Sequence, residues 1–314
     1  EAQSNRWTHT FGTLTLEGGT PAITTRVVCL GDHVSINAES GGNSTNRHGR
    51  GVTIVADVIT IPPWTEVTAD GYGYVAASGP GRGGASDNAG SHGGRGARAT
   101  GTGICYGAFS MPTALGSGGG TASAGGGAIH IIASVITNNG LISATADEAV
   151  WNHAAGSGGS VWLECGQLAG TGMVRAAGGY ARNSRPGGGG RIAIVLTNAS
   201  PDFSSISNRF NVASGANNYY NYGVGAAGTL FFRSASALPA AGDLWVNNAG
   251  QVVTNVDFVT EWPPRLPAPD ETTDRAVLRI TNAAVVGLTT NTTCGDLFVY
   301  TNGWLRLNGY ILSV

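Results

Sequence analysis

Gly125-Gly126-Gly127-Ala128-Ile129-His130-Ile131-Ile132-Ala133 combines a glycine run with an alternating apolar segment. The same combination occurs at residues 49–56, 158–165 and 188–196. Alternation of apolar and other residues predicts a β-strand with one buried face. Repetition of one unit along a chain is typical of architectures in which each repeat packs on its neighbours.

The spacing of the repeats is regular. Val161 follows Ile129 by 32 residues, and Ile192 follows Val161 by 31. Within a repeat, Asn138-Asn139-Gly140 marks a tight turn, and a second short apolar segment, residues 141–144, follows it. These features predict an all-β fold, a right-handed parallel β-helix with long glycine-rich loops. An antiparallel sandwich is the alternative, but similar repeats favour stacking in register.

The glycine-rich loops span residues 71–103, 116–127, 154–159 and 178–190. They can be flexible excursions, or they can pack side by side in a polyglycine-II-like second layer, because glycine has no Cβ to separate neighbouring backbones. In the second case we expect His92 and Arg95 to lie on an exposed surface and to contribute to a ligand site.

The sequence divides into three regions. Residues 1–48 are expected to form N-terminal strands or a cap, and residues 49–197 the glycine-rich repeats. Residues 198–314 contain Asn/Tyr-rich and Pro-rich loops, and we expect further β coils there with an open C-terminal edge.

Composition excludes several classes of function. Only 11% of the residues are charged, the formal net charge is −2, and all 17 basic residues are arginine. Lysine chemistry is therefore absent, and nucleic-acid binding has little electrostatic support. No apolar run reaches the roughly 18 residues that a membrane-spanning helix needs.

The four cysteines, Cys29, Cys105, Cys165 and Cys294, are far apart and form no CxxC pair. Two disulfides can form in an exporting compartment, with three connectivities. Alternatively, the cysteines are small buried apolar residues, which the strand parity of Cys165 favours.

Exposed aromatic rings are the best candidates for ligand binding, because such rings can stack on sugars. Acidic side chains near a proline-rich loop are candidates for calcium, since oxygen-rich loops suit a hard cation; no other cofactor is expected. His130, which lies between two inward-facing isoleucines, is expected to be an exposed strand residue. The aromatic candidates are Trp151, Tyr180, Tyr219, Tyr220 and Tyr222, and the acidic ones are Asp270, Glu271 and Asp274.

The stretches GGGAIHIIA, GGSVWLEC and GGGGRIAIVL resemble glycine-rich β-helix modules of large secreted or surface-anchored bacterial proteins. The resemblance implies an extracellular scaffold and carries no catalytic residues. We therefore expect a structural or adhesive module, or a filament subunit, at the cell surface. Its partners would be a second copy, the continuation of a longer chain or surface glycans. The alternatives are a carbohydrate-binding or polysaccharide-degrading β-helix and a viral receptor-binding tip.

Overall fold

The computed structural model describes residues 7–22, 24–29, 51–82, 88–97, 103–198, 203, 209–217, 223–234, 236–238, 241–253, 257–266 and 271–314. Within these ranges the chain is all-β and contains no helix, as expected. The strands of the N-terminal part are β1 (Trp7–Thr15), β2 (Thr25–Val28), β3 (Val52–Ile61), β4 (Thr65–Thr68), β5 (Ala128–Asn138), β6 (Leu141–Ser143), β7 (Ser160–Ala169), β8 (Met173–Arg175), β9 (Arg191–Leu196), β10 (Phe210–Asn211) and β11 (Thr229–Ser234). Those of the C-terminal part are β12 (Gly242–Asn247), β13 (Thr260–Trp262), β14 (Ala276–Thr281), β15 (Val285–Leu288), β16 (Thr292–Thr293), β17 (Asp296–Val299), β18 (Trp304–Arg306) and β19 (Leu312–Ser313).

A nine-stranded sheet runs through the molecule in the order β1-β3-β5-β7-β9-β11-β12-β14-β17. Its first six strands are parallel, and the equivalent residues of the repeats lie in register. Ile129 pairs with Val161, Val161 with Ile192, and Ile192 with Leu230. The prediction that strands about thirty residues apart stack side by side is therefore confirmed.

A five-stranded parallel sheet, in the order β10-β8-β6-β4-β2, contains the even-numbered strands of the N-terminal part. The chain thus alternates between the two sheets from β1 to β10. One continuous apolar cluster, the first core, includes Ile129, Val161 and Ile192, which are fully buried. It also takes in Ile142 and Val174 from the smaller sheet. The alternation read from the sequence places these aliphatic side chains on one face of each strand.

The C-terminal part departs from the repeating pattern. β12 pairs antiparallel with β11, after which β12, β14 and β17 are parallel to one another. Leu244 and Leu278 belong to a second core, on the opposite face of the long sheet from the first. A three-stranded sheet, β13-β15-β18, and the pair β16-β19 complete this part.

The glycine-rich segments are packed against one another. We call residues 88–97, 116–126, 155–159, 187–190 and 223–228 the glycine layer. Most of its residues are buried, and its backbone groups bond between segments rather than along a sheet ladder. The interpretation of these loops as flexible excursions is wrong for these residues.

Residues 155–158 show how the layer is held together. The Ala155 carbonyl accepts from Gly90 N–H at 2.9 Å, Ser157 N–H donates to Ser117 at 2.9 Å, and Gly158 N–H donates to Gly188 at 3.0 Å. The Ser157 carbonyl also accepts from Gly126 N–H at 3.0 Å. A β-strand bonds to two neighbours at most, whereas this segment bonds to three other segments of the glycine layer.

Glycine is required by this close approach. A Cβ atom placed on Gly159 would overlap the carbonyl oxygens of Gly126 and Gly127, and one on Gly187 would overlap that of Gly156. The glycine runs therefore bring backbones closer together than any side chain would allow.

Candidate functional site

His92 and Arg95 lie inside the glycine layer rather than on an exposed surface, so the prediction of exposure is wrong. His92 is completely buried and Arg95 is 8% exposed. His92 Nδ1 lies 2.9 Å from the carbonyl oxygen of Gly158. Because a carbonyl oxygen only accepts, Nδ1 carries the proton. Burial, with a smaller contribution from the nearby Arg191 charge, lowers the His92 pKa to about 3, so the ring is neutral at physiological pH.

Glu261 of β13 is the centre of a buried ionic cluster that the sequence did not indicate. Its carboxylate binds Arg95 Nη2, accepts from Arg265 Nε at 2.6 Å, and accepts from the Cys105 backbone N–H at 2.6 Å. Glu261 is 2% exposed. Arg95 and Glu261 are 166 residues apart, which is why no local motif reveals the pair. The cluster joins the glycine layer to the C-terminal part.

All four cysteines are free and buried. The disulfide hypothesis is therefore wrong, and the alternative of small buried apolar residues is confirmed for Cys29 and Cys165, which lie in the first core, and for Cys294, which lies in the second. Burial raises the pKa of Cys29, Cys105 and Cys165 to about 12. Such thiols stay protonated at neutral pH and are poor nucleophiles.

His130 is buried, contrary to expectation. It is 7% exposed, its ring stacks on Trp162 with centroids 3.8 Å apart, and Nε2 lies 2.8 Å from a Glu164 carboxylate oxygen. Its side chain does point away from the first core, as strand parity requires. The opposite face of the long sheet is also covered, however, so the outward direction does not lead to solvent.

Trp151 and Tyr180 lie on two neighbouring loops. Trp151 is 55% exposed and Tyr180 is half-buried. The loops stack in register: Ala149 N–H donates to the Tyr180 carbonyl at 2.9 Å, and Asn183 Nδ2 donates to Asn152 Oδ1 at 2.6 Å. The remaining aromatic candidates, Tyr219, Tyr220 and Tyr222, lie outside the described residues.

The acidic candidates do not form a calcium site in the part of the chain that the structure describes. Glu271 accepts from the Phe109 and Ser110 backbone N–H groups, at 3.0 and 2.8 Å, and from Ser110 Oγ at 2.6 Å. Its carboxylate thus anchors a loop instead of facing a cation. Asp274 is exposed, and Asp270 lies outside the described residues. No group of three His, Cys, Asp or Glu side chains suited to a metal occurs among the residues described.

A concave surface lies beside Glu271 and Asp274, with a volume of about 670 Å³. Three segments line it: residues 263–265, 271–274 and 289–293. Six of the lining residues are threonine, and Asn291 adds an amide. The two acids can be picked out from the sequence but the threonine-rich wall cannot, because the three segments meet only in the folded chain.

The C-terminal edge, which we define as residues 296–314 with strands β17, β18 and β19, exposes apolar side chains. β17 is the last strand of the nine-stranded sheet and β18 the last of the three-stranded sheet, while β19 pairs only with β16. Each strand therefore has one open edge among the described residues. The exposed large apolar side chains here are Phe298, Val299, Tyr300, Trp304, Leu307, Tyr310, Ile311 and Val314.

Comparisons with protein families, curated proteins and solved structures returned no match. Within the described ranges no helix is long and apolar enough to cross a membrane. Two surfaces of the C-terminal part are candidates for function: the C-terminal edge, because it exposes apolar side chains, and the threonine-lined surface, because it is concave.

Proposed function

We propose that this chain is an extracellular structural or adhesive module, built as a right-handed parallel β-helix that assembles end to end. Two features support the helical winding: the alternation of strands between two parallel sheets, and the in-register pairing of equivalent residues such as Val161 and Ile192. A solenoid of this type lengthens by adding coils without any change to its core. Secretion rests on the resemblance to surface modules.

The glycine layer fits the same role. We propose that its segments adopt a polyglycine-II-like arrangement, since residues 155–158 bond to three other segments. Cross-bonding in several directions would make the module stiff and would tie its loops to the strands. Stiffness is useful in a stalk or a filament.

The main support for end-to-end assembly is that the C-terminal edge exposes apolar side chains on open strands. Proteins commonly protect open strands with charged residues or proline, and unprotected edges pair with other chains. β17 has the sequence Asp-Leu-Phe-Val, with a single charge. Val299 is 47% exposed and Ile311 of the same edge is 65% exposed. The chain as a whole has only a small net charge, so repulsion between copies is weak.

The partner that we propose for this edge is a second copy of the chain. At the other end of the long sheet, β1 pairs only with β3 among the described residues, so it also has an open edge. A contact between β17 of one copy and β1 of the next is heterologous, because it joins two different surfaces of the same protein. Heterologous contacts that do not close into a ring form filaments.

Light scattering across a concentration series, with electron microscopy of the same samples, tests the proposal. We expect the mass of the unaltered protein to rise with concentration and filaments to be visible. The double variant Val299→Lys/Ile311→Lys places two cations on the open edge and should remain monomeric.

The matched control is Val252→Lys, since Val252 is 66% exposed but lies outside the C-terminal edge. It should assemble like the unaltered protein. The proposal is overturned if the unaltered chain is monomeric at every concentration, or if the double variant assembles as well as the control.

A further inference from the structure

The threonine-lined concave surface has the dimensions of a small-ligand site. Its volume of about 670 Å³ lies within the roughly 300–1,000 Å³ that is typical of ligand pockets. One wall is the chain after β13, residues 263–265; the others are residues 271–274 and residues 289–293, which include β16. The concave surface adjoins the C-terminal edge, because β16 pairs with β19, but the residues that line it are not part of that edge.

The lining is rich in hydroxyl groups. Thr272, Thr290 and Thr293 are exposed in the concave surface, and Thr273 is half-buried there. A threonine hydroxyl donates one hydrogen bond and accepts two, so the wall can match a ligand that also carries many hydroxyls.

Among the carboxylates of the lining, one is left for a ligand, and the Arg265 guanidinium, whose side chain is 49% exposed, keeps its Nη donors. Arg265 Nε is bound to Glu261, and the Glu271 carboxylate is occupied by Ser110 and Phe109. Asp274 is exposed and has no hydrogen-bond or ion-pair partner among the described residues. A carboxylate accepts through both oxygens and can hold two neighbouring hydroxyl groups at once.

Other ligand classes fit this lining less well. The two carboxylates outnumber the single guanidinium of Arg265, which disfavours an anion, and the hydroxyl-rich walls disfavour an apolar molecule. The described residues contain no group of three side chains suited to a metal ion. A polyhydroxylated neutral molecule satisfies the hydroxyls, and the half-buried ring of Pro263 offers an apolar surface to its C–H groups.

We infer that this concave surface binds a neutral saccharide of one or two rings, with Asp274 accepting hydrogen bonds from adjacent sugar hydroxyls. The hydroxyls of Thr272, Thr273, Thr290 and Thr293 complete the site. If the chain is an adhesive module, as proposed above, a neutral saccharide is the class of ligand to which it adheres. The biological role of the site therefore rests on the proposed function. Its physical basis is independent of end-to-end assembly.

An array of neutral mono- and oligosaccharides, probed with the full chain, tests the inference. Titration calorimetry with the disaccharide that is retained most strongly then gives affinities. Because a hydrogen bond to a charged group is among the stronger ones, Asp274→Ala should weaken binding by about tenfold or more. Thr290→Val, which removes a hydroxyl at nearly constant shape, should weaken it by a smaller factor.

Asp296→Ala is the matched control, since Asp296 is exposed but does not line the concave surface. It should leave the affinity unchanged, and circular dichroism should show that all three variants are folded. Failure of every saccharide to bind, or equal affinity of Asp274→Ala and the control, overturns the inference. Binding by a chain that stays monomeric in light scattering would sustain it while contradicting end-to-end assembly.

Discussion

The first core and the glycine layer lie side by side in one chain but are held together in different ways. In the first core, aliphatic side chains such as Ile131 and Leu163 fill the space between two sheets. In the glycine layer, backbone amides and carbonyls bond directly, and at positions such as Gly159 no space for a Cβ atom is left.

One repeat unit can therefore supply two kinds of interior. The strand part loses stability when a side chain is made smaller, because a cavity remains. The layer part loses stability when a side chain is added, because rigid backbones must move apart. The two regions should therefore respond in opposite directions to a change in residue size.

The most severe effect is expected for Gly187→Val. Its side chain would overlap the backbone of Gly156, which is held by bonds to other segments. Overpacking ordinarily costs about 1–3 kcal/mol, and here the neighbour cannot rotate away, so we expect more than this and little folded protein. Urea unfolding followed by circular dichroism measures the loss.

Gly12→Val is the control for this prediction, since a Cβ atom at Gly12 meets nothing within 4 Å. Its stability should stay within about 0.5 kcal/mol of the unaltered protein, as is usual for surface substitutions. Equal stability of the two variants would mean that the glycine layer is not closely packed, and the comparison between the two interiors would fail.

The next largest effect is expected where the glycine layer meets the C-terminal part. Glu261→Ala leaves Arg95 buried without its carboxylate and should cost about 3–5 kcal/mol. The control is Glu148→Ala, which removes the partner of Arg182 in a pair whose side chains are both 54% exposed. That surface pair should contribute only about 0–1 kcal/mol. Similar losses in the two variants, measured by urea unfolding, would show that Glu261 is not an anchor.

The strand pattern could be predicted from sequence because it is local. The positions of Ile129, Val161 and Ile192 follow from alternation within each strand and from a regular spacing, and all three lie in one core. Burial of Cys165 follows from the same parity. Neither inference needs any knowledge of which loops touch.

Side chains outside the strands could not be placed in this way. His92 donates a hydrogen bond to the carbonyl of Gly158, which is 66 residues away, and Arg95 donates one to Glu261, which is 166 residues away. The parity of His130 was correct, but parity does not tell whether a second layer covers the outer face of a sheet. In the candidate ligand site, Asp274 could be picked out as an acid, whereas the threonine-rich wall opposite it comes from a distant segment.

The smallest of the expected effects concerns pH and tests whether His92 is as buried as the glycine layer requires. Its pKa is lowered from 6.5 to about 3, so below pH 6.5 the unfolded chain takes up a proton that the folded chain does not. The contribution of the neutral, buried His92 to the free energy of unfolding is complete above pH 6.5, and it is lost as the pH falls towards 3. Between pH 6.5 and pH 4 the loss should reach up to about 3 kcal/mol.

His92→Asn keeps a hydrogen-bond donor but does not titrate, so its stability should fall less on acidification than that of the unaltered protein. The unaltered protein is the reference, and urea unfolding at a series of pH values gives both profiles. If His92→Asn follows the same curve as the unaltered protein, water reaches the imidazole and the layer is more open than the first core beside it. A flatter curve for His92→Asn would mean that backbone packing excludes solvent as completely as aliphatic side chains do.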